Sequence, residues 1–312
     1  MLNTKEGFSM IEMQKGIFRS VTGQKLDRRL WLPEGEPKAV VQFVHGMAEH
    51  IDRYDAPARA LAAAGYAVVG HNHLGHGPKG IIKGYFADKD GWQCLIEDVH
   101  TLRKQTESYF PGKPYFLLGH SMGSFVVRCY LLEKAEGLAG AILSGTGWYD
   151  PMTLAAGLTI CNVSCLLGKG KAESNIMKNA VGLSSKGNFE GRTPCDWLSR
   201  DQAQVDKYMD DPLCGFTFTA SGYRDMFRGL KRLVKVEALK AMPAELPVYF
   251  FSGDKDPVGA DGVGVNKIVD MFRQAGMKDV AVKLYPDGRH EMFNELNCQE
   301  VYSDLIGWLD SK

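Results

Sequence analysis

The sequence has no surplus of charge of either sign, since Lys plus Arg and Asp plus Glu both number 37 and the formal net charge is zero. A chain that binds nucleic acid usually carries a basic surplus, so we expect no nucleic-acid partner. The cysteines do not suggest a disulfide framework: there are seven, and no CxxC pair occurs. Reduced thiols are therefore expected, and the one close pair, Cys161 and Cys165, is interpreted as apolar packing.

Long apolar runs are also missing. A helix that crosses a membrane needs about 18 or more apolar residues, and the nearest candidate, residues 152–168, is uncharged but broken by Thr, Asn and Ser. The N-terminus lacks the charged start, apolar core and cleavage site of a signal peptide. We therefore expect a cytoplasmic globular protein, in which residues 152–168 either form an apolar wall of a binding site or make transient contact with a membrane.

What the sequence does contain is an alternation of apolar runs and helical patterns. A hairpin is predicted over residues 16–32, around a Thr-Gly turn. Six further runs are mostly apolar and do not alternate, as expected of strands covered on both faces: 39–46, 66–72, 114–121, 140–145, 247–254 and 280–287. Helical patterns occupy 55–65, 91–110, 124–137 and 267–276. This order predicts an α/β fold, with a mostly parallel eight-stranded sheet and helices on both faces.

One interval is too long for an ordinary connection between strands. About 100 residues separate the run that ends near Ser144 from the run that begins near Pro247. Within this interval, residues 146–225 contain no convincing buried strand. We predict that they form an inserted, mostly helical cap, called the cap segment below. The core of the protein would then consist of residues 1–145 and 226–312.

The strongest local motif is Gly119-His120-Ser121-Met122-Gly123, which follows an apolar run and precedes a helical pattern. In a nucleophile elbow, a serine stands on a tight turn between a strand and a helix, and nearby glycines allow the close packing. The helix N-terminus then offers backbone N–H groups where negative charge develops. The motif predicts an α/β-hydrolase fold with Ser121 as nucleophile.

A serine hydroxyl needs a base to accept its proton, and in α/β-hydrolases the acid and the histidine follow the serine in the chain. His290 is the one histidine after Ser121, so it is the expected base. Two aspartates after the penultimate predicted strand compete for the role of acid. Asp256 is favoured because Asp254 is better placed to form the local turn, and Asp287 is an outside candidate.

An oxyanion hole needs two backbone donors. One is the N–H of Met122, and we expect the other from Met47, in the loop that follows the run 39–46. In this loop His45 is expected to bond to the backbone. Three further histidines, His71, His73 and His76, could suggest a metal site. Since the segment holds two glycines and neither a carboxylate nor a cysteine, we interpret them as structural and expect no metal or cofactor.

With these motifs in place, the chain resembles the monoacylglycerol lipases and the similar bacterial lysophospholipases, in the serine-aminopeptidase-like S33 branch of α/β-hydrolases. Five segments carry the resemblance and keep the family's order: HGMAEHIDRYD (45–55), LGHG (74–77), GHSMGS (119–124), SGDKDPV (252–258) and GRHEMFNE (288–295). It implies a triad of Ser121, Asp256 and His290, with Met47 and Met122 as oxyanion donors.

The resemblance gives two further residues two alternative roles. Glu49 and Arg53 would either hold the glycerol end of a substrate or brace the loop that carries Met47. The chain also departs from the family pattern, with Asn72 where the family usually has Asp and with Pro78-Lys79 after the LGHG turn. These departures affect the loop more than the triad.

The expected reaction is hydrolysis of a carboxylic ester through an acyl-enzyme, on a small lipid-like substrate such as a monoacylglycerol or lysophospholipid. Its acyl chain would lie beneath residues 154–168. Alternatives are a general short-chain or aryl esterase and a small-molecule receptor on the same scaffold. A prolyl-type aminopeptidase is a further alternative, which would need carboxylates of the cap segment facing a substrate amine. The candidates for that role are Glu173, Glu190, Asp196 and Asp201.

Overall fold

A computed structural model describes residue 11 and residues 13–181 and 189–312 of the chain. Within these residues, eight strands form one sheet. The strands are Met13–Arg19 (β1), Lys25–Trp31 (β2), Ala39–Val44 (β3), Tyr66–His71 (β4), Tyr115–His120 (β5), Gly140–Ser144 (β6), Val248–Gly253 (β7) and Val280–Tyr285 (β8). Each of the six predicted apolar runs contains one observed strand, and the predicted hairpin 16–32 corresponds to β1 and β2, although β1 begins three residues earlier, at Met13.

The sheet is mainly parallel, as predicted. Its strand order is β1-β2-β4-β3-β5-β6-β7-β8. The hairpin β1–β2 joins β4 in antiparallel register, and all other neighbours pair in parallel. Strands β3 to β7 are buried throughout their length. This burial explains why their sequences are apolar without alternation.

Ten α-helices accompany the sheet in the described part of the chain. They are Asp55–Ala63 (α1), Gly91–Tyr109 (α2), Met122–Leu131 (α3), Pro151–Leu166 (α4), Asn175–Val181 (α5), Gln202–Asp210 (α6), Ala220–Lys231 (α7), Val236–Leu239 (α8), Val263–Gln274 (α9) and Cys298–Asp310 (α10). Helices α2, α3 and α9 pack on one face of the sheet, and α1 and α10 pack on the other. The fold is therefore a three-layer α/β sandwich.

The long interval between β6 and β7 holds helices α4 to α8, and the described part of the cap segment is helical with connecting loops. Helix α4 lies against α7, and a Cβ on Gly157 would lie 2.8 Å from the Phe227 ring. The predicted end of the cap segment at residue 225 falls inside α7, and residues 182–188 lie outside the described residues. Among the helices described, none has the length and apolar character needed to span a bilayer.

Candidate active site

Ser121 stands at the turn between β5 and α3, with φ 51° and ψ −121°. Such a backbone conformation is strained for a residue with a side chain. The neighbouring glycines make room for the turn: a Cβ on Gly123 would lie 1.9 Å from the Val44 carbonyl oxygen, and one on Gly119 would lie 2.4 Å from that of Gly123. The Ser121 N–H donates to the Ser144 carbonyl at 2.9 Å. The turn thus has the backbone geometry of a nucleophile elbow.

His290 and Asp256 form a buried pair at the same edge of the sheet. Nδ1 of His290 lies 3.0 Å from each carboxylate oxygen of Asp256. The carboxylate also accepts the Ser252 hydroxyl and the Val258 N–H, both at 2.9 Å. Burial works against the charged form of each group, but their mutual attraction outweighs it. The pKa of Asp256 is therefore lowered and the pKa of His290 is raised.

Asp254 and Asp287, the other two candidates for the acid, have a different environment. Oδ1 of Asp254 accepts the N–H of Asp287 at 2.8 Å, and the Asp254 N–H donates to the Tyr285 carbonyl at 3.0 Å. Both aspartates therefore hold together the turns that follow β7 and β8. Neither carboxylate contacts His290 in the described structure. Asp256 is the aspartate that the fold brings to the histidine.

The β3 loop, residues 45–50, runs beside Ser121 and contains Met47. Its Gly46 N–H donates to Glu49 Oε1 at 2.5 Å, and its Ala48 N–H donates to His76 Nε2 at 3.2 Å. Met122 is the first residue of α3. Within the described residues, no acceptor takes the N–H of Met47 or of Met122. Two backbone donors thus remain free where an oxyanion hole was expected.

Glu49 and Arg53 belong to a buried ionic network. Arg53 donates to Glu49 Oε2 at 2.6 Å and, through both Nη atoms, to the two carboxylate oxygens of Glu291 at 2.7 and 2.6 Å. Glu49 Oε1 also accepts the Tyr54 hydroxyl at 2.8 Å. Burial favours the neutral forms, yet the pKa of Glu291 is lowered and that of Arg53 is raised because the opposite charges are adjacent. The network joins the β3 loop to the residue that follows His290.

Histidines in and beside the β3 loop hold this loop in place through hydrogen bonds to the backbone. In both His45 and His76, Nδ1 donates to a backbone carbonyl and Nε2 accepts a backbone N–H. His73 Nε2 donates to the carbonyl of His45 at 3.0 Å. Both ring nitrogens of His71 lack a partner among the described residues, and its ring packs 4.7 Å from that of Phe18. The nitrogens of His45 and His76 are occupied by backbone groups.

The His290 loop, residues 288–295, is bonded directly to the cap segment. The N–H of His290 donates to the Trp197 carbonyl at 3.4 Å, and the N–H of Glu291 donates to the Leu198 carbonyl at 2.7 Å. The Trp197 ring lies 5.0 Å from the His290 ring. The His290 ring also lies 4.7 Å from that of His120. The imidazole is thus enclosed by aromatic rings from the core and the cap segment.

A cavity of about 640 Å³ opens above these residues, and Ser121 and His290 line it. Most of its other walls are apolar or aromatic, and they include Met122, Phe125, Tyr149, Trp197, Tyr223 and Met226. The expected position of the acyl chain needs correction, because no lining residue comes from 154–168. Instead α4 packs on α7, and it is α5, α6 and α7 of the cap segment that contribute residues to the cavity wall.

Four acidic residues of the cap segment were candidates for binding a substrate amine. Glu190 pairs with Arg289 at 2.6 Å, Asp196 accepts the backbone N–H groups of residues 192 and 193, and Asp201 caps α6. Glu173 forms a backbone bridge to residue 219. None of the four lines the cavity in the described structure.

Sequence reasoning did not identify His120, Trp197 or Glu291 as neighbours of the site. His120 occupies the variable second position of the GHSMG motif, and its Nδ1 lies 3.1 Å from the Ser144 hydroxyl. Glu291 could have been suspected from its position next to His290. Trp197 lies in the cap segment, where no motif marks it.

Comparison with known proteins agrees with this geometry. Residues 35–297 match the family model described as serine aminopeptidase, S33. The chain belongs to this family. It is an S33 serine hydrolase of the α/β-hydrolase fold, and it shares the lipase- and esterase-like character of its relatives.

The relatives of this S33 hydrolase include lipases and an esterase. Monoglyceride lipase of Rattus norvegicus is 30% identical, with 93% of this chain and 88% of the lipase covered. Monoacylglycerol lipase of Mycolicibacterium smegmatis is 28% identical, with 94% of this chain and 96% of that lipase covered. Among solved structures, the chain is similar to the crystal structure of a highly thermostable carboxyl esterase from Bacillus coagulans in complex with glycerol. The TM-score is 0.89 and the sequence identity is 31%, with 96% of this chain and 99% of the esterase covered.

Proposed function

We propose that this S33 hydrolase cleaves the ester bond of monoacylglycerols through an acyl-enzyme. The observation that carries the proposal is the Asp256–His290 pair beside Ser121, on the wall of a largely apolar cavity. A cavity of this size is in the usual range for one small ligand. Lipase relatives that cover nearly the whole chain support the substrate class.

In the proposed mechanism, Ser121 attacks the ester carbonyl while His290 accepts the serine proton. Asp256 holds the imidazole in the required tautomer and stabilises the imidazolium that forms. The N–H groups of Met47 and Met122 bind the oxyanion. His290 then protonates the leaving glycerol, and water releases the fatty acid by the same steps. None of these steps uses a cofactor.

For Glu49 and Arg53 we propose the bracing role. Both carboxylate oxygens of Glu49 already accept hydrogen bonds from protein groups, and Arg53 is shared between two carboxylates. A hydroxyl of glycerol would have to break one of these buried, charge-assisted bonds. The network is better suited to fix the β3 loop, and with it the Met47 N–H, relative to the His290 loop.

We also propose that the outer side of α4 contacts lipid surfaces transiently. Met152 and Leu166 are 81% and 86% exposed, and α4 contains no charged residue. A cluster of large exposed apolar side chains marks a binding surface more often than chance exposure does. We infer a cytoplasmic location as well, since all seven cysteines are unpaired.

The experiment compares kcat/KM for 1-decanoylglycerol, tridecanoylglycerol, a lysophosphatidylcholine and a prolyl anilide. The monoacylglycerol should be the best of the four, since a triacylglycerol must also place two further chains beside the buried ionic network at a cost of a few kcal/mol. Preference for the lysophospholipid would move the substrate class to lysophospholipases. Preference for the anilide would replace the esterase with a peptidase, and binding without turnover would indicate a receptor.

Ser121→Ala tests the mechanism itself. It should abolish both ester hydrolysis and labelling by a fluorophosphonate probe, because loss of a triad member removes several orders of magnitude in rate. Ser303→Ala, in an exposed position of α10, is the matched control and should behave as wild type. Labelling of folded Ser121→Ala at the wild-type rate would identify another nucleophile.

A further inference from the structure

A second group of chemically competent side chains lies where the cap segment meets the β3 loop. It consists of His50, Asp211 and Cys214, which each offer one ligand atom, and these atoms all lie within 4.8 Å of one another. Nε2 of His50 is 2.7 Å from Asp211 Oδ2. No role in ester hydrolysis requires these three groups. It is the one such group of three or more His, Cys, Asp or Glu in the described residues.

Two separate backbone arrangements bring these groups together. His50 ends the β3 loop and is buried. Asp211 and Cys214 belong to one turn of the cap segment, in which the Cys214 N–H donates to the Asp211 carbonyl at 2.9 Å and Asp211 Oδ1 accepts the Leu213 N–H at 2.8 Å. The next residue, Gly215, donates its N–H to the Ala48 carbonyl at 2.9 Å. The turn is therefore attached to the β3 loop by a backbone hydrogen bond that does not involve the three candidate ligands.

We propose that His50, Asp211 and Cys214 bind a divalent zinc-like cation. Imidazole nitrogen, carboxylate oxygen and thiolate sulfur are the three ligand types of protein zinc sites, at about 2.0–2.3 Å from the metal. Ligands at those distances in a tetrahedron are about 3.3–3.8 Å apart. The hydrogen-bonded His50 and Asp211 atoms, 2.7 Å apart, would separate by about 0.6 Å or more, and the other separations, which are at most 4.8 Å, would contract by about 1 Å or less. Three protein ligands leave the fourth position to water.

The surrounding charge favours a cation. Two carboxylates flank the His50 ring: Asp211 Oδ2 lies 2.7 Å from Nε2, and Asp52 Oδ2 lies 3.8 Å from Nδ1. On binding, the cation forms a bond to Cys214 Sγ as the thiol proton passes to solvent, so uptake of metal should release about one proton.

The consequence would be a metal link between the cap segment and the β3 loop. Cys214 lines the substrate cavity, and His50 follows Glu49 of the ionic network. A bound ion would hold the turn of residues 211–214 against the β3 loop and narrow this side of the cavity. The cation is thus proposed as an effector of the hydrolase rather than as a participant in its chemistry.

The test uses the full chain freed of metal with a chelator. Zn²⁺ binding is followed by calorimetry, and Cd²⁺ binding by the ultraviolet charge-transfer band of a cadmium–thiolate bond. Wild type should bind one equivalent, show the cadmium band, and melt at a higher temperature with Zn²⁺. Cys214→Ser and Asp211→Asn should each weaken binding by about tenfold or more, and Cys214→Ser should lose the band.

Cys195→Ser is the matched control, because this half-buried thiol lines the same cavity but lies outside the three-residue group. It should retain the affinity and the band. The proposal is overturned if wild type shows no cadmium–thiolate band, or if Cys195→Ser removes the band while Cys214→Ser keeps it. If Cys214→Ser does not fold, the wild-type band and the Cys195→Ser result still decide. Neither measurement depends on which ester the enzyme cleaves.

Discussion

Arg53 and Glu291 form a buried two-pronged ion pair, with Nη–Oε distances of 2.7 and 2.6 Å, one residue away from His290. The pair links the 3₁₀ turn that follows the β3 loop to the His290 loop. A sequence distance of 238 residues separates its partners. Because each partner is almost enclosed by protein, the loss of either one leaves an unbalanced charge in a medium that solvates charge poorly.

Arg53→Met should therefore be among the most destabilising single changes near the site. We expect the free energy of unfolding to fall by about 3 kcal/mol or more, and kcat to fall with it. Urea unfolding provides the measurement. Arg59→Ala, which breaks a half-exposed pair with Asp55, should cost about 1 kcal/mol or less. A raised KM with unchanged stability in Arg53→Met would favour the alternative role in holding glycerol.

Asp256→Asn and Asp254→Asn should differ sharply in activity. The first removes the carboxylate that orients His290, and a loss of about 10⁴ in kcat is expected from the wrong tautomer. The second removes one acceptor of the β7–β8 turns, so its effect should be a loss of stability with kcat within about tenfold of wild type. Steady-state kinetics of both variants on one soluble ester would check this. The reverse ranking would assign the acid to Asp254.

Stability should fall as pH decreases below about 6.5. Burial lowers the pKa of His73 to about 4 and that of His76 to about 3, and it lowers the pKa values of His45 and His71 well below 6.5. The unfolded chain therefore takes up more protons than the folded chain in this window. The stability that these neutral histidines contribute is complete above pH 6.5 and is lost as pH falls towards the folded pKa values.

His71→Phe tests the origin of this acid sensitivity, because both ring nitrogens of His71 lack a partner in the described structure and the ring packs on Phe18. The variant should lose less unfolding free energy than wild type between pH 7 and pH 5. The extra loss of unfolding free energy in wild type, relative to the variant, approaches about 1.4 kcal/mol for each pH unit below the pKa of the unfolded histidine. Chemical denaturation at both pH values is the measurement. Parallel pH profiles for the two proteins would exclude His71 from the effect.

Leu166→Glu should reduce hydrolysis of monoacylglycerol presented in vesicles while leaving a soluble short-chain ester unaffected. The reason is that Leu166 is 86% exposed and does not line the cavity, so a charge there acts on lipid contact alone. Ile81→Glu is the matched control, since Ile81 is 85% exposed but outside the cap segment. Equal losses in both assays, or equal effects of both variants, would exclude α4 as the lipid-contacting surface.

The core could be predicted from sequence because its physical demands are local and repeated. Strands covered on both faces must be apolar throughout, so each of the six apolar runs contains one of the strands β3 to β8. Chain order placed the acid in the loop after β7, since the ends of neighbouring parallel strands meet at one edge of a sheet. The choice of Asp256 over Asp254 rested on the local turn and on the family resemblance. The ionic network carried no local pattern and was not predicted. Helix α10 was not predicted either, although its buried residues Val301, Tyr302, Leu305 and Leu309 recur at helical spacing.

The cap segment was less predictable for a physical reason. Its apolar residues serve two surfaces, as α4 shows: Leu154 and Cys161 face inward, while Met152 and Leu166 face outward. A helix that is apolar on all sides gives no periodicity to tell which side is covered. The prediction therefore put the acyl chain beneath 154–168, although α4 rests on α7 and the cavity lies elsewhere. The presence of Asn72, where the family usually has Asp, was also not explained by the sequence. In the described residues its Nδ2 atom is buried without a hydrogen-bond partner.

The backbone bonds from residues 290 and 291 to the carbonyls of Trp197 and Leu198 restrict how this enzyme can diversify. The cap segment is often regarded as the part of such a hydrolase that is free to change with substrate. Here residues 197 and 198 of the cap segment are hydrogen-bonded through their backbone to the loop that carries the base. A rearrangement of these residues would therefore displace His290. New specificities should therefore arise from the cavity-lining residues of α5, α6 and α7, while residues 196–200 stay as fixed in sequence length as the triad itself.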